Sequence, residues 1–96
     1  MEIEDVVKDL CYFFGLSEDE VVRFYETNPE LLWGQNGLVY LGFRISFILG
    51  GNDEARAWLN APARYLNGVT PLEKIKQGDF SSAHACLEAL ASGVSL

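Results

Sequence analysis

A chain of 96 residues with 49% hydrophobic and 12% aromatic content has the size and composition of one folded domain, which excludes a disordered chain. The net charge of −7 lies in residues 1–30, where nine acidic residues accompany two basic ones, while residues 31–96 carry five of each sign. Because acidic surfaces repel phosphates, this distribution disfavours nucleic-acid binding by the N-terminal third.

Three compositional features indicate the cellular setting. The longest apolar run, residues 38–49, is too short to span a bilayer and contains Arg44. Two cysteines, Cys11 and Cys86, and one histidine are too few for a zinc site. No signal peptide follows Met1, so we expect a cytoplasmic protein with free thiols.

The first two predicted helices come from hydrophobic spacing and from a capping motif. Apolar residues at three- and four-residue steps predict a helix over 3–14 that ends at Gly15. Ser17 and Glu20 have the spacing of a capping box, which predicts a second helix to about Glu26. The side chains expected to be buried in it are Val21, Val22, Phe24 and Tyr25.

A third, short helix is predicted from Pro29 to about Gly34, with Asn28 as its cap. The second predicted helix, the tight turn and this short helix together have the outline of a degenerate helix-turn-helix motif. However, residues 29–34 contain no Lys or Arg to contact bases or phosphates. We therefore doubt that this acidic N-terminal region, residues 1–40, binds DNA alone.

Residues 38–49 are apolar on nearly every side, which predicts a buried central helix that ends at Gly50. The sequence leaves open whether it is buried in the monomer or in a dimer. Arg44 is its only charged residue, and two interpretations stay open: an ion pair with an N-terminal acid, or a contact at an interface.

Three further helices are predicted in the C-terminal half. Asn52 caps the first, which ends near Asn60 because Pro62 disfavours helix at Ala61, and its inward residues are Ala55, Trp58 and Leu59. After a single turn over 63–66 and the Asn67-Gly68 turn, a Thr70–Glu73 capping box starts the next helix, which ends at Gly78.

Asp79 caps the last helix, which ends at Gly93 and whose apolar face is Phe80, Ala83, Leu87, Leu90 and Ala91. The prediction is an all-α fold: a compact single domain of six or seven short helices.

A search for catalytic chemistry finds no convergent set of nucleophile, base and orienting group. His84 lies at the edge of the last helix's apolar stripe and is interpreted as a packed residue. Cys86 is expected to face away from the centre of that stripe as a spare thiol. We therefore predict a protein that is not an enzyme and uses no metal or cofactor.

Several ordered motifs in residues 44–93 resemble one known family. They are Arg44-Ile45, A-x-x-W-L-x-x-P over 55–62, L-x-G-x-T-P-L-E over 66–73, Gly78-Asp79 and the final Gly93. The combination resembles the toxin-binding domain of the Xre/MbcA/ParS antitoxins. The resemblance implies an antitoxin of a bacterial type II toxin–antitoxin system, with a RES-domain toxin that consumes NAD as its partner. It divides the chain into residues 1–40 and a toxin-binding domain over 41–96.

In that family the domain covers the toxin's active site, and the C-terminal tail reaches toward it. The resemblance thus implies partner-binding roles for Leu90, Ala91, Gly93, Val94, Ser95 and Leu96, together with Arg44. It implies structural roles for Trp58, Leu59, Pro62, Leu66, Gly68, Thr70, Pro71, Leu72 and Glu73.

A homodimer or a hetero-oligomer with the toxin is expected. The alternatives are a DNA-binding regulator of helix-turn-helix type and a solitary protein-interaction or dimerisation domain.

Overall fold

The structure is a computed structural model that describes residues 3–93. Within this range the chain forms seven α-helices and one 3-10 turn, Arg64–Leu66, between the fifth and sixth helices. The helices are α1 (Ile3–Phe14), α2 (Glu18–Thr27), α3 (Glu30–Trp33), α4 (Leu38–Leu49), α5 (Asn52–Leu59), α6 (Pro71–Lys76) and α7 (Phe80–Ala91). The only β-pairing in the described range is an isolated bridge between Ala63 and Val69. The all-α prediction is confirmed.

Side-chain caps fix where several helices begin. Ser17 and Glu20 form both hydrogen bonds of the predicted capping box: the Glu20 N–H donates to Ser17 Oγ over 3.1 Å, and the Ser17 N–H donates to Glu20 Oε1 over 3.0 Å. The bond from the Ser17 backbone is the main cause of a lowered pKa at Glu20. Thr70 likewise accepts a 3.1 Å bond from the Glu73 N–H.

The cap of α5 differs from the predicted one, and the predicted cap of α7 makes one hydrogen bond more than expected. Helix α5 begins one residue earlier than expected, so Asn52 is its first residue and Gly51 its cap, without a side-chain bond. At the start of α7 the Asp79 carboxylate accepts from both the N–H and the hydroxyl of Ser82, at 3.2 and 2.6 Å. These two bonds hold the pKa of Asp79 below its usual value.

Residues in the left-handed region end helices and turn the chain. Gly50 has φ +86° directly after α4, and Asn67 and Gly68 follow the 3-10 turn with φ +59° and +87°. Gly50 thus ends α4 at the predicted residue, and the Asn67-Gly68 pair makes the predicted turn.

The main core cluster receives side chains from all seven α-helices. Its fully or nearly buried members are Val6, Val7, Leu10, Phe14, Leu16, Val21, Leu32, Leu38, Leu41, Ile45, Ala55, Leu59, Ile75, Phe80, Ala83 and Leu87. Helix α4 contacts α1, α3, α5 and α7, and it is therefore the helix around which the others are arranged.

Helix α4 is the predicted central helix, but only one of its faces is buried within the chain. Leu38, Leu41 and Ile45 are inaccessible to solvent. On the opposite face Phe43 is 71% exposed and Phe47 is 89% exposed. The other helices of this small domain pack against one side of α4 and leave the opposite side exposed to solvent.

The other corrections also concern which face of a helix is buried. In α2 only Val21 is fully buried, whereas Val22 and Tyr25 are 39% and 37% exposed. In α7 Cys86 is fully buried instead of facing away from the packed side, and Ala91 is exposed. The last helix packs against both α6 and the 3-10 turn, and this second neighbour buries a wider face than one apolar stripe predicts.

No helix in the described part of the chain is long and apolar enough to cross a lipid bilayer.

Two adjacent valines provide a matched test of this packing. Val21→Ala should lower the free energy of unfolding by about 2–3 kcal/mol, because it removes two buried methyl groups and leaves a cavity. Val22→Ala, which changes the same side chain on the exposed face, should cost less than about 1 kcal/mol. Urea unfolding followed by circular dichroism measures both values, and equal losses would show that the face of α2 is assigned wrongly.

Candidate functional site

The C-terminal end of α7 carries Leu90, Ala91 and Gly93, three of the four described residues that the resemblance assigned to partner binding, while the fourth, Arg44, lies on α4. Ala91 and Gly93 are exposed, and Gly93 leaves the helix with φ +80°. Leu90 is half-buried and packs against the core, so it supports this end of the helix more than it presents a surface. Val94, Ser95 and Leu96 lie outside the described residues, and their proposed contacts stay predictions.

Arg44 joins this end of α7 through an ion pair with Glu88. The prediction that Arg44 pairs with an N-terminal acid is therefore wrong. The Arg44 side chain is 23% exposed and that of Glu88 is 58% exposed, so the pair lies at the surface. Glu88 and Ala91 are three residues apart and share a face of α7, which places Arg44 next to the exposed helix end.

Glu88 is the one functional candidate in this region that the sequence reasoning missed, although a signal was present. Arg44 is the only Asp, Glu, Lys or Arg residue in α4, and Glu88 is the only one in α7. Two otherwise uncharged helices with single charges of opposite sign are expected to pair those charges when the helices pack together. The two helices do pack against each other.

A shallow recess lies beside the ion pair, between α3, α4 and α7. Its lining includes Trp33, Asn36, Tyr40, Arg44, His84 and Glu88. The Tyr40 ring stacks on His84 with the ring centroids 6.0 Å apart, and the Arg44 guanidinium carbon lies 6.0 Å from the Tyr40 centroid. The recess is therefore lined by aromatic rings and by one charge of each sign.

His84 is buried beneath this recess with 8% of its surface exposed. Burial lowers the pKa of the imidazole, and the nearby positive charge of Arg44 lowers it further, while the Asn36 backbone and Glu88 act in the opposite direction. Nε2 of the ring is buried without a hydrogen-bond partner among the described residues. A buried ring with a lowered pKa is neutral at pH 7, which agrees with a packed histidine.

The sequence motif of residues 55–73 forms the support behind α7. Leu59 is fully buried, Leu66 is 6% exposed, and Trp58 packs against both the main core and a small cluster of Ala63, Leu66 and Cys86. Burial raises the pKa of the Cys86 thiol in this cluster.

The remaining motif residues shape the turns around α6. Gly68 has φ +87°, Thr70 caps α6, Pro71 is buried at its first position and Leu72 packs against the core. Pro62 and Glu73 are exposed. Their assignment as structural residues stays a prediction, and these positions are compatible with it.

One family model matches the chain. It describes the antitoxin Xre/MbcA/ParS C-terminal toxin-binding domain and covers residues 46–93, which is half of the sequence. The chain belongs to the Xre/MbcA/ParS antitoxin family. No curated protein and no solved structure matches it.

The matched residues of this antitoxin show which helices form its toxin-binding domain. Residues 46–93 begin in the last turn of α4 and include α5, α6 and α7. Glu88, Ala91 and Gly93 lie inside the match, while Arg44 lies two residues before it. The match makes the protein a toxin-binding component of a toxin–antitoxin system, and it leaves α1, α2 and α3 outside the domain.

The lowered pKa of His84 predicts that the stability of the fold depends on pH. Its pKa is lowered on folding, so the unfolded chain takes up the proton first as the pH falls below about 6.5. The free energy of unfolding should therefore decrease from pH 7 toward pH 5.5, by no more than about 1.4 kcal/mol per pH unit.

His84 is the only histidine in the chain, so His84→Gln should remove most of this slope. Urea unfolding at several pH values between those limits measures it for both proteins. Equal slopes for the wild type and the variant would contradict the assignment.

Proposed function

We propose that this antitoxin neutralises a RES-domain toxin that consumes NAD, and that it does so by covering the toxin's active site with the C-terminal end of α7. Membership of the toxin-binding family is the observation that carries the proposal. The RES class of the toxin and the steric mechanism come from the sequence resemblance. The protein acts in this proposal as a binding partner and not as an enzyme.

The exposed residues at the end of α7 have the properties that such a contact requires. Ala91 and Gly93 are small, so a partner surface can approach the helix closely. The last turn of an α-helix also has backbone carbonyls without intrahelical partners, which accept hydrogen bonds from a bound protein. Leu90 packs beneath this turn and holds it against the core.

The Arg44–Glu88 pair contributes a polar border to the same surface. Oε1 of Glu88 pairs with Arg44, and the Glu88 side chain remains 58% exposed. Arg is enriched at protein interfaces, and a half-exposed ion pair next to a small-residue surface favours specificity more than affinity. This border extends the proposed contact from α7 to α4.

The two side chains with catalytic chemistry on α7 have other roles in this proposal. His84 Nε2 is buried, and the Cys86 thiol is buried with a raised pKa. A thiol acts as a nucleophile in its thiolate form, which burial disfavours. Both side chains therefore serve as packing residues that support the exposed face.

Two exposed alanines provide the direct test of the proposed surface. Ala91→Arg places a long charged side chain in the contact and should weaken binding to a RES-domain toxin co-expressed with this antitoxin by at least about tenfold, or about 1.4 kcal/mol. Ala57→Arg makes the same change on the exposed side of α5, away from the proposed contact, and should leave the affinity unchanged. Isothermal titration calorimetry measures both.

Far-UV circular dichroism of the two variants controls for folding. Equal affinities for Ala91→Arg and the wild type would contradict the proposed surface. The absence of any complex between the wild-type protein and the RES protein would contradict the proposed class of toxin.

A further inference from the structure

A groove lies between α1 and α2, on the acidic third of the chain. It is bounded by residues 3–8 of α1 and residues 18–26 of α2 and has a volume of about 550 Å³, and we call it the acidic groove. All of these residues precede the family match at residues 46–93, so the toxin-binding domain does not account for the groove. The net charge of −7 in residues 1–30 has no role in the proposed toxin contact either.

Apolar side chains from both helices line the acidic groove. Val7 is nearly buried, whereas Ile3, Val22 and Tyr25 are 37%, 39% and 37% exposed. Single exposed apolar residues are ordinary on a protein surface, but three that line one groove from two helices form a continuous apolar strip. Val22 and Tyr25 were expected inside the fold, and this strip is where the structure places them instead.

The charged side chains of the groove are mainly acidic. Glu4, Glu18 and Glu26 line it together with one base, Lys8, so three acids against one base leave a net charge of −2. All three glutamates are exposed, and within residues 3–93 none of them takes part in an ion pair. Their negative charge is therefore available to a bound molecule.

The Cys11 thiol on α1 responds to the same negative charge. Burial raises the pKa of this thiol, and the carboxylates of Glu18 and Glu20 on α2 raise it further. The field of the α2 acids thus extends across the helix pair to α1. This effect agrees with a negative potential along the groove.

We propose that the acidic groove binds a cationic amphipathic helix of another protein, with the apolar side chains of that helix on Ile3, Val22 and Tyr25 and its Lys or Arg side chains beside the three glutamates. Residues 18–26 span about 12 Å at a rise of about 1.5 Å per residue, which matches about two turns of a bound helix. An amphipathic helix in an apolar groove is a common mode of recognition, with anchors three and four residues apart. The inference is independent of the proposed function.

The sign of the charge favours this partner over three other occupants. A second copy of the chain, bound groove to groove about a two-fold axis, would place glutamates against glutamates, and like charges repel. Nucleic acids and anionic membranes are repelled for the same reason. A cationic helix instead gains from the apolar strip and from the three carboxylates together.

Nuclear magnetic resonance of the isotope-labelled full chain tests the proposal with a defined probe. The probe is a synthetic amphipathic peptide of Leu and Lys, about 14 residues long, and the matched control peptide has Glu in place of every Lys. The Leu–Lys peptide should shift the amide signals of residues 3–8 and 18–26 saturably. Its binding should weaken as the salt concentration rises toward about 1 M, where charges are screened beyond about 3 Å. The Leu–Glu peptide should leave these signals unchanged.

Three variants separate the groove from the overall charge of the protein. Glu26→Lys should weaken binding of the Leu–Lys peptide at least about tenfold, because it replaces an attraction by a repulsion. A base in the last turn of α2 suits the helix dipole, so this variant keeps its fold. Glu54→Lys makes the same change on α5, outside the groove, and should alter the affinity by less than about threefold. Val22→Ala shortens the apolar strip and should weaken binding about fivefold.

Several results would overturn the proposal. Equal weakening by Glu26→Lys and Glu54→Lys would show that the peptide responds only to net charge. Absence of binding, signal shifts centred outside residues 3–8 and 18–26, or equal binding of the Leu–Glu peptide would each contradict the assigned partner chemistry. A short DNA duplex or anionic vesicles that shift the same signals would identify a different kind of ligand and would also contradict it.

Discussion

Helix α4 is the element on which the rest of this small domain depends. Its inner face, formed by Leu38, Leu41 and Ile45, contacts α1, α3, α5 and α7 and is closed to solvent. The remaining helices have between four and twelve residues, and helices this short are marginal in water without tertiary packing. The burial of one face of α4 therefore stabilises the helices around it and fixes the position of α7.

The same helix connects three different surfaces. Its inner face forms the core, one flank supplies Arg44 to the ion pair with Glu88 on α7, and its outer side carries Phe43 and Phe47. In the account given above, this flank borders the toxin contact.

Much of the local structure could be predicted from the sequence because it depends on nearby residues. The bounds of α4 and the capping box of Ser17 were predictable because apolar length, Gly50 and the Ser-x-x-Glu spacing act locally. The family was also predictable, because its motif combines several turns and caps at fixed spacing. These signals require no knowledge of which helices touch.

The exposed faces could not be predicted in the same way. Helix α4 is apolar on nearly every side, so periodicity does not reveal which side meets the core and which side carries the exposed Phe43 and Phe47. Cys86 is buried because α7 contacts the 3-10 turn as well as α6, a long-range arrangement that one helical stripe does not encode. For the same reason, the interpretation of Arg44 as the partner of an N-terminal acid was wrong, because Arg44 pairs with Glu88 on α7.

The central claim is that this antitoxin meets its toxin through the C-terminal end of α7. Amide hydrogen exchange of the antitoxin, free and in complex with its toxin, tests it most directly because it reports on each segment of the chain. The account predicts added protection in peptides covering residues 88–93, with little change in α2. Protection confined to α1 and α2, with none at the end of α7, would contradict it.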